Sequence, residues 1–370
     1  MPREIHIPWW AEDPWWETPE YAPFVSRNAT KFRIAVSAMQ RYFDRAWWAD
    51  VPKLARRNCV AARLTGKGTM VLGFIDALGS AVASLEDSEG FRSKMARLKD
   101  DDSGSTVFEF LIAGYLRAGG LAVKFPAENN ANRTPDIVAD WEGNRIAVEC
   151  KRLQVEEWEQ WAMDIGLRVL NDLPGDAAKR YSIQIELDPR LSEIRTDDGK
   201  YPGINRAVAE AITYRIGSAV GEVVATAPQL PYQFTIAGLG AAVLRDKNEK
   251  IETSLSGFSI SPISQLRRIL TNGLWRAVDQ IPRGLPGIVV IQCEHLPDPD
   301  FARLVLDAIT RHDPSRFGRL WALLLVPRLY LNDARSALLF INRNSAASER
   351  APTCELALSA LRKHLDPQEA

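Results

Sequence analysis

The stretch TPDIVADWEGNRIAVECKRLQ, from Thr134 to Gln154, holds two short runs of alternating apolar residues around a Gly-Asn pair. Such alternation marks β-strands, because successive side chains leave a strand on opposite faces. A two-residue turn centred on Gly143 and Asn144 suits the positive φ angles that tight hairpins need. It would set Trp141 opposite Ile146, Ala139 opposite Val148 and Ile137 opposite Cys150. One face of the hairpin then reads Ile137, Ala139, Trp141, Ile146, Val148 and Cys150, and is wholly apolar. The other carries Asp136, Val138, Asp140, Arg145, Ala147, Glu149 and Lys151. A slip of one residue would exchange the faces and put Ile146 and Cys150 into water.

On this register Asp136 lies across from Lys151, with Glu149 one step along the same face. A cross-strand Asp136–Lys151 ion pair at an exposed strand edge would account for two of these charges, at a few tenths of a kcal/mol. It leaves Glu149 without a reason. Two nearby carboxylates repel unless a cation neutralises them. Lys151 supplies part of that charge, and a hard divalent ion supplies more. Mg²⁺ takes few carboxylates and keeps water on its remaining positions. Arg152, the next residue, is placed either to contact phosphate or to cover the adjoining helix.

The order Pro135-Asp136, twelve residues, then Glu149-Cys150-Lys151 resembles the PD-(D/E)xK motif of restriction-endonuclease-like nucleases. The resemblance covers about residues 106–152 well and 265–326 loosely. It implies Asp136 and Glu149 as ligands of Mg²⁺ (Mn²⁺ substituting) and Lys151 as the group serving the attacking water. It also implies Glu109, within VFEFLIAGYL, as a further catalytic acid and metal ligand from the helix before the first core strand. Gln280 and Arg276, in LWRAVDQIPRGLPGIVVIQC, are the implied residues of a later helix that approaches the site. The activity implied by the resemblance is that of a phosphodiester-cleaving hydrolase, DNA before RNA, acting in prokaryotic restriction, anti-phage defence or DNA repair. A catalytically silent nucleic-acid-binding or assembly subunit, or an RNA-cleaving member of the fold, are the alternatives.

Outward from the hairpin, periodicity and caps predict helices at about 29–48, 51–62, 69–86 and 106–118, then a strand at 121–125. Beyond it the pattern alternates. Helices are expected at 155–172, 203–225, 263–281 and 299–311, and strands at 181–187, 234–244, 287–293, 320–326 and 337–341. Interleaved strands and helices imply an α/β fold with a mixed sheet. The expected organisation is a helical N-terminal domain over 1–102, a nuclease-like domain over 103–345 and a C-terminal tail over 346–370. Residues 155–260 then form an insertion, unless the helix at 155–172 belongs to the core and the rest is appended. Trp9, Trp10, Trp15 and Trp16 lie in a Pro-rich arm that either packs on its own chain or docks a second subunit or a defence-system partner.

The 370 residues carry a formal net charge of −1, so no whole-molecule field draws the chain to nucleic acid or membrane. Any polyanion would have to meet a local basic patch. Cys59, Cys150, Cys293 and Cys354 lack CxxC spacing, and His6, His295, His312 and His364 stand singly. That argues against a zinc site and a disulfide framework, and suits a reducing cytoplasm. No P-loop or GxGxxG pattern points to ATP or a dinucleotide; AARLTGKGT (61–69) reads as a basic connector.

Overall fold

The computed structural model describes residues 22–26, 29–44, 46–47, 58–64, 69–100, 103–127, 134–153, 181–188, 206–246, 254–256, 266, 269–293, 296–327, 337–342, 345 and 351–365. The chain divides into two compact units, Met1–Leu153 with Arg267–Ala370, and Gln154–Leu266.

The first unit begins with helices α1 (Ala22–Ser26), α2 (Ala29–Tyr42), α3 (Cys59–Leu64), α4 (Thr69–Leu85), α5 (Phe91–Lys99) and α6 (Gly104–Ala118). Strands β1 (Ala122–Lys124), β2 (Ile137–Trp141) and β3 (Asn144–Arg152) come next as an antiparallel meander. The second unit has its own sheet, of β4 (Tyr181–Leu187), β5 (Tyr232–Ile236), β6 (Gly240–Asp246) and β7 (Ser254–Ser256), in the order β5-β6-β4-β7. Helix α7 (Arg206–Ala225) sets Ile212, Ile216 and Val220 into one apolar cluster with Ile183, Ile185 and Leu244 of that sheet. The single strand expected over 234–244 is two strands. Gly238 at φ 70° and Gly240 at φ 138° adopt backbone that other residues resist, and they turn the chain between them.

The chain re-enters the first unit through a π-helical turn, Ile269–Leu274, that runs into α8 (Trp275–Gln280). It continues with β8 (Gly287–Gln292), α9 (Pro299–His312), α10 (Pro314–Phe317), β9 (Leu320–Val326), β10 (Leu338–Ile341) and α11 (Ala351–Leu365). The sheet order is β1-β2-β3-β8-β9-β10, with β3, β8 and β9 parallel and both flanks antiparallel. GIVVIQ and LWALLLV are buried at every position, as central parallel strands covered on both faces must be. The protein is thus mixed α/β with a mixed six-stranded sheet.

Helix α6 explains why two expected boundaries fail. Its Val107, Phe108, Phe110, Leu111, Ile112 and Leu116 are all buried, and an all-round apolar helix needs cover on every side. The sheet covers one side, and α4 covers another so closely that a Cβ on Gly114 would stand 2.6 Å from the Ala81 side chain. Phe32, Leu72 and Phe91 therefore share one core with Ile137, Val148 and Ile288, and residues 1–102 are not a separate domain. The expected C-terminal tail likewise holds α11, whose Cys354, Ala357 and Leu361 join that core. The Trp-rich arm and the helix expected at 155–172 lie outside the described residues. Among the described residues, no helix is long and apolar enough to cross a membrane.

Candidate active site

The hairpin turns one residue earlier than its Gly-Asn pair suggests. Glu142 at φ 53° and Gly143 at φ 82° form the bend, and the Gly143 amide donates to Asp140 Oδ1 at 2.9 Å. That side-chain anchor fixes the turn, and Asp is well suited to it. The register becomes Ile137 opposite Val148 and Ala139 opposite Ile146. It differs by two residues from the expected pairing, so each side chain keeps its face. The apolar face lies in the core with α6, as Ile137, Ala139, Ile146, Val148 and Cys150 show.

What changes is the partner of Asp136. It stands at the end of the ladder beside Glu149 and not across from Lys151. Its own amide donates to Glu149 Oε2 at 3.2 Å, and the Cys150 amide donates to Asp136 Oδ2 at 2.9 Å. These reciprocal bonds lock the two carboxylates side by side. Lys151, next on the same face as Glu149, donates to Glu149 Oε1 and also to Gln280 Oε1, the latter at 2.5 Å. Gln280 arrives on α8, and the π-helical turn before it packs closely on the sheet. A Cβ at Gly273, in that turn, would meet Ile291 Cδ1 at 2.8 Å. Asp136, just before β2, is thus brought together with Glu149 and Lys151 of β3 and Gln280 of α8.

Burial sets the electrostatics. Glu149 is fully buried, and its carboxyl is pushed up to about 8 by that burial and by the neighbouring Asp136 charge, against the pull of Lys151. For Lys151 burial acts downward, but Glu149 and Asp136 outweigh it and hold the ammonium above its ordinary value. Glu109, facing in from α6, is 4% exposed. Burial raises its carboxyl and Asp136 raises it further, so the Asp136 charge reaches both acids.

Lys94, on α5, donates to Glu109 Oε2 at 2.5 Å and is itself 4% exposed. Sequence reasoning misses it. Fifteen residues separate the two, and one of the four basic residues in FRSKMARLK reads as an outward-facing charge. The available signal is Met95 and Leu98 close by, which mark that helix face as buried.

Arg152 lies with its guanidinium against Gly104, the first residue of α6: a Cβ there would overlap its Nη1. Gln292, its register partner on β8, is 3% exposed, and neither amide atom has a hydrogen-bond partner among the described residues. Arg276 is exposed on α8, and the cluster's hydrogen bonds and ion pairs among the described residues do not include it. Of the two residues expected from this helix, only Gln280 reaches Lys151.

Among the described residues, no three His, Cys, Asp or Glu side chains are gathered as a ready metal cage. The donor set nevertheless fits one hard cation. Asp136 Oδ2 and both Glu149 oxygens have protein donors, while Asp136 Oδ1 has none among the described residues. A Mg²⁺ ion is held by as few as one or two carboxylates and completes its shell with water. Placed there, it would cancel the Asp136–Glu149 repulsion that burial magnifies. No family model, curated protein or solved structure matches this chain.

Proposed function

We propose that this protein is a divalent-metal-dependent nuclease that hydrolyses phosphodiester bonds, with DNA the favoured substrate, on a restriction-endonuclease-like core. One observation carries the reading: two carboxylates locked side by side at the end of a hairpin, with a lysine suspended between one of them and a glutamine from a separate helix. An exposed structural ion pair has no use for a fully buried Glu149, nor for two acceptors on one ammonium. The element order supports it too, with Glu109 on the helix before β1 and Gln280 on the helix before the parallel strand β8.

Asp136 and Glu149 would hold the ion. When bound, it supplies positive charge against the phosphate oxygens and makes a water more acidic. The chain's own part lies with Lys151. Without a cation, two carboxylates hold it protonated, able to donate to a phosphate oxygen but not to take a proton. Cancelling their charge leaves burial as the main influence, which moves Lys151 downward and toward accepting a proton from the attacking water. Gln280 Oε1, a second acceptor on the same ammonium, would keep it aimed into the site independently of Glu149.

The test is incubation of the full chain with supercoiled, linear and single-stranded DNA and with RNA, in Mg²⁺ and in Mn²⁺. Cleavage by the wild type that Glu149→Gln and Lys151→Ala abolish is expected. No cleavage of any substrate, or equal cleavage by the variants, refutes the proposal.

A further inference from the structure

Lys94 and Glu109 form a pair with almost no solvent contact, each 4% exposed and 2.5 Å apart. Ion pairs this deep are costly to desolvate and give little net stability, so they call for another reason. Both partners are rigidly held. Phe91, Met95 and Leu98 fix α5 in the core, and Gly90 starts that helix at φ 81°, where a Cβ would strike the Phe125 carbonyl. Lys94 cannot swing away to solvent as a surface lysine would. Its ammonium sits beside the carboxylate that would otherwise complete a three-acid metal site, and among the described residues those three acids are not gathered as a cage.

We infer that Lys94 is a built-in counter-ion standing where a second divalent cation would bind, so that the site takes one metal ion, on Asp136 and Glu149, and Glu109 is not a ligand. Lys94 is then a positioning residue, acting through Glu109. The inference rests on the metal-dependent reading proposed for this site.

Charge arithmetic agrees. With the ligands deprotonated and Glu109 ionised in its pair with Lys94, Asp136, Glu149 and Glu109 bring three negative charges and Lys94 and Lys151 two positive ones, leaving −1. One divalent ion brings the cluster to +1, suited to an incoming phosphodiester. Two would bring it to +3 in a setting that screens charge poorly, with Arg97 adding to the positive field at Glu109.

Counting Mn²⁺ bound to the full-length protein, by calorimetry and by the electron paramagnetic resonance of free Mn²⁺, decides the matter. Wild type should bind one ion. Glu109→Gln should still bind one, though more weakly, because it leaves the Lys94 charge unpaired beside the site. Lys94→Met frees Glu109 and should admit a second ion, and the charge-balanced double variant Lys94→Met/Glu109→Gln should return to one, with affinity within about threefold of wild type because Glu109 is not a ligand. Two ions in wild type, or a tenfold or greater loss of affinity in the double variant, overturns the inference. Should Lys94→Met fail to fold by circular dichroism, the wild-type count and the double variant's affinity decide alone. Wild type that binds no Mn²⁺ refutes the metal-dependent reading itself, an outcome distinct from binding two.

Discussion

Replacing Glu149 by glutamine should make the metal-free protein more stable at alkaline pH, and the gain should vanish in acid. The reasoning starts from complete burial and a carboxyl pushed up from an ordinary 4.5 to about 8. A raised folded-state value means that the folded protein keeps its proton where the unfolded chain has lost it. Wild-type stability therefore falls as pH climbs from the unfolded value through about 8 and levels off above it. The full shift of 3.5 units, at about 1.4 kcal/mol per unit, sets a ceiling of about 5 kcal/mol. Glutamine keeps the shape and an oxygen for the Asp136 amide, but leaves Lys151 without its anion. The shift is already net of the Lys151 attraction, so the gain at pH 9 should approach that ceiling. Denaturation in urea with a chelator present, at pH 5 and pH 9, measures both ends. A variant no more stable than wild type at pH 9, or a difference independent of pH, refutes the account of Glu149 as a strained acid.

The same proton governs metal binding. Mn²⁺ affinity should rise up to about tenfold per pH unit below about 8 and flatten above it, and calorimetry in buffers of different ionisation enthalpy should find close to one proton released per ion near pH 7. Lys151→Ala should lower cleavage by about 10²–10⁴-fold, the usual range for a proton-transfer group. Gln280→Ala, which removes only the second acceptor on that ammonium, should cost about tenfold and leave Mn²⁺ affinity unchanged. Arg152→Ala should weaken DNA binding measured in Ca²⁺ and reduce the salt slope by about one, while Arg276→Ala, exposed and apart from the cluster, should do neither.

Much of the hairpin is legible from alternation alone, and the reason shows in how the expected register fails. Placing the turn at Gly143-Asn144 overlooks Asp140, whose side chain anchors the Gly143 amide and pulls the bend back by one residue. The resulting error of two residues leaves every face intact while changing who opposes whom, so Asp136 is set beside the wrong charge. Faces follow from period two, but partners depend on a single side-chain hydrogen bond that no periodicity encodes. The domain boundary fails for a related reason. Loop composition near 102 signals a break in secondary structure, whereas the need to cover α6 on all sides is a property of packing, visible in the sequence only as an unusually apolar helix.

Lys94 marks the limit of what strand and helix patterns disclose, and it also shows why the cluster differs from an incidental group of charges. A motif read along the chain finds the acids, because strand spacing places them; it does not find the cation that arrives on another helix. Yet the cation determines what the acids can do. With Lys94 on Glu109 and Lys151 on Glu149, both buried carboxylates of the cluster have an ammonium partner, and Asp136 keeps an oxygen without a donor among the described residues. Asp136 is only partly buried, so that oxygen stays open to solvent, and it lies beside two acids whose protons the Asp136 charge already perturbs. In the metal-dependent reading proposed for this site, that open oxygen is where the cation and its water would sit.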